Sequence, residues 1–192
     1  MDLVNSFVEF STNFISSGGI LFGFLLVLVE SFIPALPLAV FVALNTNAFG
    51  PVIGIIISWI ATCIGCFLSY LLFRYLSDKV IDKLLSHKYK KRIQKAIKKF
   101  KKISFPSLVL IVALPFTPAF LVNIICGIVK TSKRKFVASI LIGKIFMVLF
   151  WGYVGKSIIE SMLDIKTLII VAIMLVVAYI ISKIVNKRFN IE

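Results

Sequence analysis

The chain has 192 residues, 60% of them hydrophobic, and a formal net charge of +14; its mean hydropathy is +1.05. A soluble domain of this size needs more polar surface than that leaves, and several apolar stretches reach the ~18–20 residues that span a bilayer. The charge is too segregated for a nucleic-acid platform: Met1 to Phe73 hold no Lys or Arg, eleven of the 22 basic residues fall in 79–102, and that cluster lacks interleaved stacking aromatics.

No charged n-region of a cleavable signal is evident at the start, so the first segment is expected to be retained. Residues 3–16 place Leu3, Val4, Phe7, Phe10 and Phe14 among polar residues, the stripe of a helix lying in the membrane interface. Residues 19–44 are apolar but contain Glu30, Pro34 and Pro37. Two prolines three residues apart end a helix, and a broken backbone at membrane depth must be buried in protein or line a wet cavity. The predicted form is a re-entrant hairpin. Asn45-Thr46-Asn47 and Gly50-Pro51 then read as a turn.

Residues 51–76 form the clearest predicted span. Ala61, Gly65 and Ser69 make one small-residue stripe, and Ser58, Thr62 and Cys66 make another beside it; such stripes admit a second helix at close range. Arg74 closes this helix and is placed to snorkel. Residues 78–102 form a basic amphipathic helix with Ile81, Leu85, Tyr89, Ile93 and Ile97 on its apolar side. His87 falls among its lysines and reads as solvated.

Residues 103–129 are apolar and carry Pro106, Pro115 and Pro118, and a second basic cluster follows at 130–135. A single crossing would put the two basic clusters in opposite compartments, whereas basic loops favour the cytoplasm. Entry and exit on one side resolve the conflict, so this segment is also predicted to be re-entrant. Residues 136–158 then cross outward and 167–185 cross back, with a mixed-charge linker at 160–166. The Pro-x-x-Pro units lie 81 residues apart, each ahead of an apolar stretch, a turn and a span. The expected fold is an all-α membrane protein built as an inverted repeat. It has two opposed re-entrant helical hairpins, about three full spans and interfacial amphipathic helices. The expected organisation is an N-terminal interfacial helix at 1–17, a membrane domain at 18–160, and a linker, span and basic tail at 161–192.

Glu30 is a carboxylate in apolar surroundings, a costly placement that marks a functional group. Lys144, midway along the 136–158 span, needs a partner or a wet cavity, and Glu30 is the deep opposite charge within the chain's means. The broken segments expose helix N-termini whose unpaired N–H groups attract anions, so an anionic lipid headgroup is a natural ligand, with Asn123 placed to hydrogen-bond to it. Cys63 and Cys66 have redox or half-zinc spacing but sit in an apolar helix without His or acid beside them; with Cys126 they read as small packed residues. No metal, cofactor or enzyme motif is found.

The stretches from Glu30 to Pro37 and from Leu114 to Gly127 resemble the DedA superfamily, also described as SNARE-associated or VTT-domain membrane proteins. The resemblance covers roughly residues 20–156. It extends to Asn47-Ala-Phe-Gly50, to Gly65, Tyr70 and Arg74, and to Gly152-Tyr-Val-Gly155. It implies opposed re-entrant hairpins and movement of lipid between leaflets: undecaprenyl phosphate or phospholipid in bacterial relatives, scrambling in eukaryotic ones. Glu30 matches the family's acidic residue before the first hairpin, and Arg74 its arginine after the first span. Many relatives carry an arginine before the second proline pair, where this chain has Val112-Ala113-Leu114; whether Lys144 takes its place is left open. The expected function is a lipid transporter of the plasma or inner membrane. It would be proton-coupled through a titratable Glu30 and would carry its basic loops and C-terminus in the cytoplasm. Site candidates are Glu30, Pro34, Pro37, Arg74, Pro115, Pro118, Asn123 and Lys144; partners are membrane lipids and a second copy of the chain. A non-transporting scaffold and a small-ion channel are the alternatives.

Overall fold

In the computed structural model of the chain, the described residues are 18–32, 38–77, 97–98, 100–160 and 165–189. Among them the structure is helical and contains no strand. The expected interfacial helix at 3–16, most of the basic helix at 78–102, His87, Pro34 and Pro37 lie outside the described residues. The helices are α1 (Gly18–Glu30), α2 (Leu38–Phe49), α3 (Pro51–Tyr75), α4 (Phe105–Ala113), α5 (Ala119–Ile128), α6 (Lys133–Glu160) and α7 (Ile165–Phe189). The three spans expected from the sequence are present: Pro51–Tyr75, Lys133–Gly155 and Ile169–Arg188 are long and apolar enough to cross a membrane.

Local chemistry sets the helix ends. Gly50, at φ 82, turns the chain between α2 and α3, and Pro51 occupies the first turn of α3, where a missing N–H costs nothing. Ser104 caps α4, its Oγ accepting from the Ser107 N–H at 3.3 Å. At the other end of α4, Leu114 is extended, the conformation that Pro115 imposes on its predecessor. Helix α5 closes with Lys130 at φ 55, its N–H donating to the Gly127 carbonyl while the Thr131 N–H reaches the Cys126 carbonyl. This is a Schellman closure built on a lysine instead of glycine.

One expectation about the elements themselves is overturned. Asn45, Thr46 and Asn47 do not form a turn; they continue α2. Asn45 is 1% exposed, and its amide donates to Ser58 Oγ at 3.0 Å and to the Gly23 carbonyl at 3.3 Å. An asparagine that ties three helices together has no amide left to support a turn.

Helices α3 and α6 run antiparallel at the centre. Moving along α3, Ile55 abuts Gly152, Trp59 Nε1 donates to the Leu141 carbonyl at 3.0 Å, and Tyr70 stacks on Phe136 at 4.3 Å. The broken segments pack at opposite ends of this pair. Val27, Leu38 and Val42 join Ala61, Met147 and Val148 at one end. Leu108, Ile111, Val122 and Cys126 join Tyr70, Phe136 and Ile140 at the other.

Four contacts fix this packing. A β-carbon at Gly65 would lie 2.8 Å from the Leu28 carbonyl oxygen and 2.6 Å from the Ser31 side chain. One at Gly143 would lie 2.9 Å from the Val109 carbonyl oxygen and 2.9 Å from the Val112 side chain. Leu28 and Ser31 stand six and three residues before Pro34, as Val109 and Val112 stand before Pro115. Gly127 meets the backbone of Arg74 on α3, and Gly152 faces Thr46 on α2. Both small-residue stripes of α3 are buried, while Ile53, Ile56, Ile60, Ile64, Leu68 and Leu72 on its other side are exposed. Most of α7 is likewise apolar and exposed, a surface suited to lipid.

Candidate functional site

Lys144 is 1% exposed, on the buried side of α6, and its ammonium donates to Met147 Sδ at 3.4 Å. Holding a lysine at membrane depth costs ~2.5–3.5 kcal/mol, and a thioether is a weak acceptor. Glu30, the last residue of α1, lines the same cavity and lies close enough for the ammonium to act on its carboxylate. The two do not meet in a direct ion pair among the described residues. The cavity has a volume of about 240 Å³.

The proline break between α4 and α5 supplies another wall, with Pro115, Thr117 and Pro118 lining the cavity. Without the break, α4 would run on and close this space with a continuous helix. Leu38 and Ala39, the first residues of α2, also line it, as do Ala119 and Phe120, the first residues of α5. The first N–H groups of a helix have no partner within it and form its positive end. Two helix N-termini, an ammonium and one carboxylate thus border a single cavity. That arrangement suits a phosphate, because it offers fixed donors and positive potential without requiring a metal.

Of the remaining sequence candidates, Arg74 stands apart from the cavity. Its Nη1 donates to Tyr70 Oη at 2.7 Å and to the Thr131 carbonyl at 2.8 Å, and Tyr70 Oη donates to that same carbonyl. Arg74 therefore holds the turn that closes α5 rather than snorkelling. Asn123 is 2% exposed on α5, its Nδ2 without a hydrogen-bond partner among the described residues, and it does not line the cavity. The three cysteines are buried and free; Cys66 lines the cavity, and Cys63 Sγ donates to the Ile140 carbonyl at 3.7 Å.

Sequence reasoning missed Thr117 and Asn186. Thr117 Oγ1 donates to Asn186 Oδ1 at 3.1 Å, and Asn186 Nδ2 donates to the Phe116 carbonyl at 3.5 Å. The ring of Phe116 meets Tyr179 and Trp151 edge-on. A signal was present, since Asn186 is an amide four residues beyond Ser182, just past the predicted last span at 167–185. Its partner across the fold was not readable.

The family model for the VTT domain matches residues 33–157. The "Uncharacterized membrane protein YhjE" of Bacillus subtilis (strain 168) is 34% identical over 170 residues, covering 86% of this chain and 80% of the relative. The "Uncharacterized protein YqeD" of the same organism is 33% identical over 135 residues, covering 68% of this chain and 64% of the relative. No solved structure matches the chain.

Proposed function

We propose that this chain, which belongs to the VTT-domain family, is a membrane protein that moves phosphate-bearing lipids between leaflets, taking the headgroup into the cavity between Glu30 and Lys144. The observation that carries the reading is the convergence of the N-termini of α2 and α5 with the buried Lys144 on one cavity. A headgroup crossing hydrocarbon loses its hydration, and fixed donors replace it. Lys144 then stands where this chain lacks an arginine before its second proline pair, and Glu30 balances the ammonium when no phosphate is present.

The reading includes the architecture. The broken segments α1–α2 and α4–α5 are opposed re-entrant hairpins of an inverted repeat. Supporting this, Gly65 meets Leu28 and Ser31 as Gly143 meets Val109 and Val112, and Gly127 meets Arg74 as Gly152 meets Thr46. Residues of the broken segments correspond at a spacing of 81 and those of the spans at 78. The converging N-termini obey the first spacing, Leu38 corresponding to Ala119. A site at the junction of two such halves is the plan by which a rocking motion exposes it to each side in turn. The basic segments 79–102 and 130–135 and the C-terminal Lys187 and Arg188 lie in the cytoplasm of a plasma membrane in this reading.

Reconstitution tests it. Purified protein in liposomes carrying labelled phospholipid or polyprenyl phosphate should accelerate exchange between leaflets. Absence of acceleration, with a control scramblase active in parallel, would sink the transport reading in favour of a scaffold.

A further inference from the structure

The polar atoms around the cavity divide into donors and acceptors, and Asn186 sets one side of that division. The Phe116 carbonyl can only accept, so Asn186 must turn Nδ2 toward it and Oδ1 toward Thr117. Thr117 has one hydroxyl proton and gives it to Oδ1. What remains on Thr117, 4% exposed and lining the cavity, is acceptor capacity alone. Glu30 supplies acceptors as well. Lys144 is a pure donor, and the leading N–H groups of α2 and α5 donate too. Asn186 is itself 1% exposed and lies on α7, beyond the residues 33–157 matched by the family model.

We infer that the cavity selects lipid headgroups carrying both a phosphate and an N–H or O–H donor, and that Asn186 is the positioning residue that sets this preference. The phosphate lies against Lys144 and the two helix ends. The donor-bearing end, an ammonium or a hydroxyl, is shared by Glu30 and Thr117. A trimethylammonium end carries charge but no N–H, so it leaves the Thr117 lone pairs and part of the Glu30 carboxylate unsatisfied in a desolvated site. Unpaired buried acceptors carry the full desolvation penalty, which makes the absence of a donor the strong discriminator. This inference rests on the transport reading above.

The test uses full-length protein in liposomes and two phospholipids labelled on the same acyl chain, one with an ethanolamine headgroup and one with choline. The ethanolamine lipid is expected to exchange faster by roughly tenfold. Thr117→Val, close in shape, should bring the ratio near one by slowing the ethanolamine lipid and, with no hydroxyl lone pairs left to desolvate, raising the choline rate. Thr117→Ser should restore the preference. Asn186→Leu frees the Thr117 hydroxyl to turn its proton into the cavity and should lower the ratio part of the way, and the threonine variants decide the matter if that protein fails to fold. Equal wild-type rates, or an unchanged ratio in Thr117→Val, would overturn the selectivity and leave the transport reading standing. No exchange of either lipid by folded wild-type protein would overturn both.

Discussion

Lys144 and Glu30 face one cavity from α6 and α1, near enough to interact electrostatically but without closing into an ion pair among the described residues. A lysine kept at depth, whose ammonium has a thioether as its hydrogen-bond acceptor among the described residues, is destabilising, and in the transport reading it is kept for its chemistry. Lys144→Met removes the charge with little change of length. The variant is expected to be at least as stable as the parent, gaining up to ~2.5–3.5 kcal/mol, while lipid exchange falls by about tenfold or more. Thermal unfolding in detergent and a leaflet-exchange assay on the same preparation check the two halves of this expectation.

Glu30→Gln keeps the shape of the side chain, replaces one acceptor oxygen with an amide donor and removes the negative charge. With the charge gone, Lys144 has no counter-ion when the cavity is empty, and phosphate held there is released more slowly. Exchange rates should fall by roughly tenfold while lipid retained by the purified protein rises. Unchanged rates would remove Glu30 from the mechanism.

The parts of this fold that were legible in the sequence are those set by composition and short spacing. The buried stripes of α3 follow from small residues recurring every four positions, and the break after Leu114 follows from proline chemistry. Glu30 and Lys144 were associable only because deep charges are scarce. Asn45 was misread because a polar triplet before Gly-Pro has the composition of a turn. Its amide is instead committed to Gly23 and Ser58, partners that no local pattern reveals. The Thr117–Asn186 contact joins residues 69 apart, and only the seating of α7 against the second break brings them together.

Gly65 and Gly143 offer a mechanical test of the inverted repeat. An added methyl group at either position runs into backbone carbonyl and side-chain atoms within 3.0 Å. Overpacking of this kind costs ~1–3 kcal/mol. Gly65→Ala and Gly143→Ala should therefore destabilise to a similar degree, and the double variant should approach the sum because the contacts are separate. Equilibrium unfolding in mixed micelles measures this; a large loss at one glycine with none at the other would contradict equivalent roles.

Arg74 and Tyr70 converge on the Thr131 carbonyl, so their contributions should not add. Tyr70→Phe removes a neutral hydrogen bond to the Thr131 carbonyl and the acceptor of a charge-assisted one from Arg74, together worth ~1.5–3 kcal/mol, and Arg74→Met removes two charge-assisted ones, worth ~1.5–3 kcal/mol or more. In a double-mutant cycle the coupling should reach ~0.5 kcal/mol or more. Exchange per folded molecule should stay near the parent value in Tyr70→Phe, since neither residue lines the cavity. A complete loss of exchange in well-folded Arg74→Met would instead make Arg74 a lipid-contacting group.

The orientation of the chain can be tested directly because Cys63, Cys66 and Cys126 are buried and can be replaced to give a cysteine-free parent. Asn45 is unsuitable as a reporter, being enclosed by Gly23 and Ser58. Gly50, in the turn between α2 and α3, is a better outer position, although its φ of 82 makes Gly50→Cys cost ~1 kcal/mol. Ser132 at the start of α6 and Lys187 at the end of α7 report the opposite side. An impermeant thiol reagent added to whole cells should label Gly50→Cys and spare Ser132→Cys and Lys187→Cys until the membrane is opened. Labelling of Ser132→Cys but not Lys187→Cys in sealed cells would break the shared side of the second basic cluster and the C-terminus. The re-entrant reading of α4–α5 depends on the second basic cluster sharing a side with the first, so a matched pair of cysteines at Lys90 and Ser132 completes the test. Both are expected to stay protected in sealed cells, because a single crossing between them would expose one of the two.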